Sequence, residues 1–309
     1  MKATNNKIDV IGDIHGRCAE LKDLLAQLGY APRNGAWRHP ERTALFIGDL
    51  VDRGPNVPGV LELVKDMADA GTAEVLLGNH EFGVLCWYMP DGKGGYLRPH
   101  KDKFLSYMAP SVAFFDANPD ARDHYFPWFQ NLPIWMEEGG ARFVHAYWGP
   151  QDHAQLGGAR NLNQCGWGDP RFRQTKIGEA VERLLKGPEL QLPPGLANHN
   201  KHGEERNTAR IRWWAKQPTT LQEVILPRIP AAADYPLPET IRGAYEAHPN
   251  DPPPTFIGHY GFDECPGLLA PNLACVDYQG KHGKWIGAYR WDGENKLRVE
   301  KLVTEEAAS

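Results

Sequence analysis

VIGDIHGR, residues Val10–Arg17, ends the apolar run Ile8–Ile11 with a glycine and then sets an aspartate and a histidine two positions apart. The run reads as a buried strand and Gly12 as the turn that stops it. A turn alone needs neither Asp13 nor His15. The pattern returns in FIGDLVDRG, Phe46–Gly54, and in LLGNHE, Leu76–Glu81. Three strand ends in the first third of the chain therefore carry carboxylate, amide or imidazole groups. Between them lie two helical periods. CAELKDLLAQLGY has Leu21, Leu24, Leu25 and Leu28 at helical spacing and a stop at Gly29, and VPGVLELVKDMADAG ends at Gly71. Strand, helix, strand, helix, strand implies α/β organisation, with parallel pairing through right-handed crossovers. Ligands of such sheets gather outside the carboxyl ends of the strands, where all three motifs lie.

Past Glu81 the periodicity loosens. GVLCWYM continues a helix, PDGKGGYLRPH is a loop, and Lys101–Leu132 is expected to form two helical pieces interrupted at Pro110 and Pro119. PIWMEEGGARFVHA reads as a hairpin turning at Gly139 and Gly140, with His145 at its outgoing end. From Tyr147 to Pro254 proline, glycine and polar residues dominate, and one helix is expected, Ile177–Leu185. So long a stretch with so little pattern reads as a functional insertion or cap. TFIGH, LACVDY, KWIGAYRW and KLRVEKLV supply four closing strands, and TEEAAS a frayed tail. NDPPPT has the composition of a linker, yet His259 beyond it belongs with the early motifs. The expectation is one domain over residues 1–309 with an insertion at 147–254.

Bulk properties narrow the setting. Of 309 residues, 41% are hydrophobic and 24% charged, as in ordinary globular proteins, and the net charge of −5 argues against non-specific nucleic-acid binding. No stretch is apolar for the eighteen or so residues of a membrane span, and the N-terminus has no long apolar h-region, so a soluble, non-exported chain is expected. Cys18, Cys86, Cys165, Cys265 and Cys275 are scattered without a Cys-x-x-Cys pair. Neither a disulfide scaffold nor a thiolate zinc site follows, and a reducing cytoplasm fits best.

The polar residues that follow strands are Asp13 and His15; Asp49, Asp52 and Arg53; Asn79 and His80; His145; and His259. Oxygen and imidazole without sulfur suits Mn²⁺, Zn²⁺ or Fe²⁺. Two ions sharing a carboxylate explain so many ligands better than one. Such a pair, about 3.5–4 Å apart, clamps the attacking and leaving oxygens of an in-line phosphoryl displacement. Taken singly, each motif has a plainer explanation: a GD after a strand is most often a turn, and a lone strand-end histidine is more often core or surface than ligand. Their ordered co-occurrence carries the reading.

GDIHG, GDLVDRG, GNHE, the histidine of VHA and the late GH resemble the successive signatures of the calcineurin-like metallophosphoesterases. The GDLVDRG and GNHE forms resemble the phosphoprotein phosphatase branch, which holds Ser/Thr protein phosphatases and symmetrical diadenosine tetraphosphate hydrolases. The resemblance implies a β-sandwich flanked by helices and two divalent ions, Mn²⁺ ahead of Zn²⁺ or Fe²⁺. It implies that Asp13 and His15 hold the first ion, that Asp49 bridges both, and that Asn79, His145 and His259 complete the second. His80 would be the general acid, held in its tautomer by Asp52; Arg53 would grip the phosphate, with Asn79 also at the substrate; and a metal-bound water or hydroxide would attack. The chemistry has its own logic: an alkoxide leaving group needs a proton, and an imidazole with a carboxylate partner is a tuned donor. A guanidinium fork grips phosphate as lysine does not. Where the branch commonly has glycine after the strand-end histidine this chain has Ala146 and Tyr147, and Tyr260 follows the late histidine, which places bulk at the expected pocket rim.

In RNTARIRWWAK, Arg206, Arg210 and Arg212 stand close to Trp213 and Trp214. The resemblance implies a second phosphate-binding arginine here, Arg210 or Arg212; the alternation equally fits a half-buried strand with solvated arginines. The tryptophans read as core, with nucleobase stacking as the alternative. His39, His100, His124, His153, His199, His202, His248 and His282 lack strand-end context and are expected at the surface. The substrate is a phosphoprotein, a small phosphomonoester or, alternatively, a dinucleoside polyphosphate; no membrane or nucleic-acid partner is expected. A catalytically inactive metal-bearing module would show a broken ligand or acid, and none is broken.

Overall fold

The computed structural model describes residues 7–199, 205–239, 252–278 and 285–304. Two five-stranded sheets carry the fold. In the first, Ile8–Ile11 lies parallel to Thr43–Phe46, which lies parallel to Ala73–Val75. Gly287–Trp291 pairs antiparallel with the other side of Ile8–Ile11, and Leu302–Thr304 forms the far edge. The helices Cys18–Gln27 and Val57–Asp69 make the crossovers, burying Leu21, Leu24 and Leu25 from one and Val60, Leu61, Val64 and Met67 from the other. Asn56 starts the second of these by accepting the Gly59 amide at 3.0 Å.

In the second sheet Thr255–Ile257 lies between and parallel to Leu273–Cys275 and Ala141–Val144. The hairpin Trp135–Glu138 to Ala141–Val144 turns at Gly139 and Gly140, both at positive φ. The inner faces of the two sheets meet in one apolar cluster that includes Ile8, Val10, Leu45, Phe143, Phe256 and Trp291. Phe143 and Phe256 stack there with centroids 5.2 Å apart. Ile11 and Phe46 instead join the cluster under the helices. Both faces of these strands are therefore covered, which is why they read as continuous apolar runs rather than alternating ones. The result is an α/β fold built on a β-sandwich flanked by helices.

Several sequence expectations need correction. Pro110 does not interrupt a helix: Asp102–Ala117 is continuous, and the next helix starts at Pro119. An interior proline costs about 3 kcal/mol; burial of Met108 and Phe115 on the same helix offsets that cost. Between Tyr147 and Pro254 the described residues hold not one α-helix but Pro150–Leu156, Lys176–Lys186 and the short Leu221–Val224. They also hold a three-stranded antiparallel sheet of Ile225–Leu226, Thr208–Ile211 and Glu189–Gln191. Strands of two to four residues are too short to register a period. Of KLRVEKLV only Leu302 and Val303 are strand, after a 3₁₀ turn at Val299–Lys301, and the strand runs on to Thr304, the first residue of the expected tail. The hairpin Ala31–Arg33 to Ala36–Arg38 and the strand Leu268–Ala270 were not anticipated.

His153 is half-buried between Trp135 and Trp148, and His39 packs on Tyr30, so neither is a plain surface residue. Tyr260 does not stand at a rim: it is buried, packs on Trp214 and accepts from Trp213 Nε1 at 3.0 Å. His202, His248, His282, part of NDPPPT and the tail from residue 305 lie outside the described residues. Among the described residues no helix is long and apolar enough to cross a membrane.

Candidate metal centre

The residues after five strands converge. Asp13 and His15 follow Ile8–Ile11, Asp49 follows Thr43–Phe46, and Asn79 opens the helix after Ala73–Val75. His145 follows Ala141–Val144 and His259 follows Thr255–Ile257. The loops are locked to one another: the amides of Ile14 and His15 both donate to the Asp49 carbonyl, at 3.0 and 2.9 Å. A Cβ on Gly48, which has φ +103°, would lie 2.5 Å from the Gly78 backbone, so these two loops touch only because both residues are glycine. Seven described non-glycine residues have positive φ, and five of them are His15, Asp49, Asp52, Arg53 and His259. Backbone strain of this kind persists where the surroundings enforce it and gathers at functional sites.

Asp49 lies at the middle. His15 Nε2 and His80 Nε2 are each 3.7 Å from its Oδ2, and His145 Nε2 is 3.3 Å from its Oδ1. Two groups of metal-binding type result, His15 with Asp49 and His80, and Asp49 with His145 and His259; each has its ligand atoms within 4.8 Å of one another, and Asp49 belongs to both. Asn79 Oδ1 joins the second, 3.0 Å from His145 Nε2 and 2.6 Å from His259 Nδ1. Asp13 flanks the first, with Oδ2 3.9 Å from His15 Nε2, and accepts the His259 amide at 3.2 Å.

These residues fit divalent ions. His15 Nδ1 donates to the Val51 carbonyl at 2.9 Å and His145 Nδ1 to the Ile47 carbonyl at 2.8 Å. Each ring thus turns the lone pair of Nε2 toward Asp49, the arrangement in which an outer hydrogen bond orients a ligating imidazole. Nε2 of His15 and Nε2 of His259 are buried without a hydrogen-bond partner. Burial, then repulsion from Asp277 and Asp49, pushes the Asp13 carboxyl well above the usual carboxylate range. Burial opposes the Asp49 charge as well, but the imidazoles of His145, His80 and His15 outweigh it and hold that carboxyl low. Burial lowers His15 and His259, with Arg53 adding to the effect on the first and Arg210 on the second. Crowded acids and lone-pair nitrogens in a buried pocket are stabilised by cations.

Beside the pair, His80 Nδ1 lies 2.6 Å from Asp52 Oδ2 and Nε2 lies 3.4 Å from Arg53 Nη2. Asp52 is fixed by Ser111, whose hydroxyl accepts the Asp52 amide at 2.8 Å, and Arg53 by the Tyr107 carbonyl, which accepts its amide at 2.8 Å. The Tyr107 ring packs edgewise on His80 at 5.3 Å. The helix Asp102–Ala117 thereby holds His80, Asp52 and Arg53 in place.

Three features escaped the sequence reading. Glu81 is fully buried and accepts the amides of Asp49, Leu50, Val51 and Gly78 at 2.8–3.2 Å. Its signal was present, as a glutamate three residues after the Gly78 N-cap. Asp277, buried beside Asp13, accepts the Gly261 amide at 2.6 Å and so ties the loop after His259 to Asp13. Of the two arginines left open, Arg210 is the one whose charge acts on His259 and is itself acted on by Arg53, whereas Arg212 donates to the Glu223 carbonyl at 3.4 Å. Trp213 and Trp214 are buried core residues.

The chain is similar to several known proteins. An asymmetrical bis(5'-nucleosyl)-tetraphosphatase of Oceanobacillus iheyensis is 44% identical over 75 residues, 24% of this chain and 30% of that protein. A symmetrical bis(5'-nucleosyl)-tetraphosphatase of Ralstonia nicotianae is 34% identical over 163 residues, 51% of this chain and 50% of that protein. The chain thus spans half or less of these relatives. Among solved structures, a serine/threonine phosphatase from Saccharomyces cerevisiae is similar in fold, with TM-score 0.53 at 16% identity over 99% of this chain and 82% of that one. A cold-active protein-tyrosine phosphatase of Shewanella gives TM-score 0.52 at 18% identity, over 97% and 80%. The sequence profile described as calcineurin-like phosphoesterase matches residues 6–190, more than half of the chain. The chain belongs to the calcineurin-like phosphoesterase family.

Proposed function

We propose that the chain is a binuclear metal-dependent phosphoester hydrolase. The observation that carries this is the Asp49 carboxylate, common to two groups of metal-binding type. Asp13 and His15 would hold one ion with Asp49, and Asn79, His145 and His259 the other. Bound there, two divalent ions, Mn²⁺ first with Zn²⁺ or Fe²⁺ as alternatives, neutralise phosphoryl charge and acidify water. Arg53, exposed beside His80, and Arg210, near enough for its charge to act on His259, grip the phosphate oxygens. His80 delivers a proton from Nε2 to the leaving oxygen, while Asp52 on Nδ1 fixes the tautomer and stabilises the imidazolium. We read residues 1–309 as one domain, with 147–254 as a cap that brings Arg210 to the site. Five unpaired cysteines, four of them buried, suit a reducing cytoplasm.

The first substrate reading is a phosphomonoester, as in phosphoserine or phosphothreonine. The names of the curated relatives favour a second, a dinucleoside tetraphosphate. Side-by-side turnover of p-nitrophenyl phosphate, a phosphopeptide and diadenosine tetraphosphate with Mn²⁺ tests both. Hydrolysis of the first is expected, and its absence with every divalent ion tried would refute the hydrolase reading.

A further inference from the structure

The loop before the helix Asp102–Ala117 builds something the metal chemistry does not use. His100 lies flat on Trp87, centroids 3.8 Å apart and planes 13° apart, and Tyr96 lies flat on His100, at 4.3 Å and 10°. The column is fixed from below: His100 Nε2 donates to the Trp87 carbonyl at 2.9 Å, and the amides of Leu97 and Arg98 donate to Met89 and Cys86 at 2.8 and 2.9 Å. Its lowest ring, Trp87, is buried, while Tyr96 is 42% exposed. Three nearly parallel rings ending in an exposed face offer a seat for a fourth flat ring.

The foot of the column lies on the helix that carries His80. Trp87 is seven residues after His80 in the helix Asn79–Tyr88, so the two share a face about 10 Å apart. Between them lies Arg98, packed over Gly83 and Phe104 and donating to the Tyr107 hydroxyl at 2.6 Å, with the Tyr107 ring on His80. A cation beside the helix segment that joins the foot of the column to His80 suits the order base, phosphate, scissile phosphate of a nucleotide.

We propose that Tyr96, His100 and Trp87 form a nucleobase platform, with Arg98 over the adjoining phosphate. A dinucleoside polyphosphate would then be held by one base while its bridging phosphate reaches the metal centre. This rests on the hydrolase reading above. The test compares the wild-type protein with Tyr96→Ala and Tyr96→Trp. Tyr96→Ala is expected to lower the ratio of kcat/KM for diadenosine tetraphosphate to kcat/KM for p-nitrophenyl phosphate about tenfold, mainly through KM, and Tyr96→Trp to restore it. In equilibrium binding, AMP is expected to bind about tenfold more tightly than ribose 5-phosphate, from which it differs by the base, and Tyr96→Ala to erase the difference. An unchanged ratio in Tyr96→Ala, or equal binding of the two ligands, overturns the platform. Cleavage of p-nitrophenyl phosphate but not of the dinucleotide overturns the platform and leaves the hydrolase standing. If neither is cleaved the hydrolase reading fails, and the binding comparison still decides the platform.

Discussion

The hydrogen bond between His80 and Asp52 divides the work of two neighbours in the motifs. Nδ1 is committed to a carboxylate, so Nε2 alone faces the Asp49 centre, next to Arg53. His80→Ala is expected to leave metal content near that of the wild type and to slow alkyl phosphates by roughly 10²–10⁴, with a much smaller effect on nitrophenyl phosphate, whose leaving group needs no proton. Parallel kinetics on the two substrates check this, and equal losses would remove the acid role. The candidate ligands could be picked out as candidates because each stands within four residues of the end of an apolar strand. Arg210 was not distinguishable from Arg212, because their surroundings depend on how Thr208–Ile211 pairs with Glu189–Gln191 and Ile225–Leu226. Such pairing between distant segments leaves no local mark.

At the scale of the element, the loop after Thr43–Phe46 is held by a side chain from another element. Glu81, in the first turn of its helix, accepts four amides from two strand-end loops. Glu81→Ala would leave those amides buried and unpaired, at about 1–3 kcal/mol each before relaxation. A net loss of roughly 3 kcal/mol or more is expected in urea denaturation, together with weaker metal binding; a loss under about 1 kcal/mol would show that water replaces the carboxylate. The elements that sequence reading located are the long periodic helices and the buried apolar strands. It stopped a helix at Pro110 because proline's local cost is visible and the offsetting burial is not. It missed the small sheet of the 147–254 region because strands this short hold together by pairing and leave almost no periodic pattern of their own.

For the molecule as a whole, acid should act in two successive windows. Burial, then the charges of Arg142 and Arg160, pushes His153 down to about 4, below its ordinary 6.5. The unfolded chain therefore takes up a proton that the native state refuses, and stability falls as pH drops from about 6.5 to 4. Burial opposes the charge of Glu182, but Arg173 and Lys186 outweigh it and bring that carboxyl to about 2 from 4.5. Its contribution, roughly 3 kcal/mol at most, is present above 4.5 and is lost as pH falls toward 2. Arg173 also donates to the Leu97 carbonyl, so this ion pair joins the helix Lys176–Lys186 to the loop before the helix Asp102–Ala117. Denaturation curves of Glu182→Gln should show a shallower decline below pH 4.5 and an unaltered one above it; the full wild-type slope in that variant would contradict the assignment.

Convergence of five strand ends on one carboxylate is the feature on which the rest depends, and metal content measures it directly. Protein loaded with Mn²⁺ and freed of excess ion should hold two ions per chain by elemental analysis, and Asp49→Ala should hold fewer than one while remaining folded by circular dichroism. One ion in the wild type, or two retained without Asp49, would mean that this carboxylate does not join a pair.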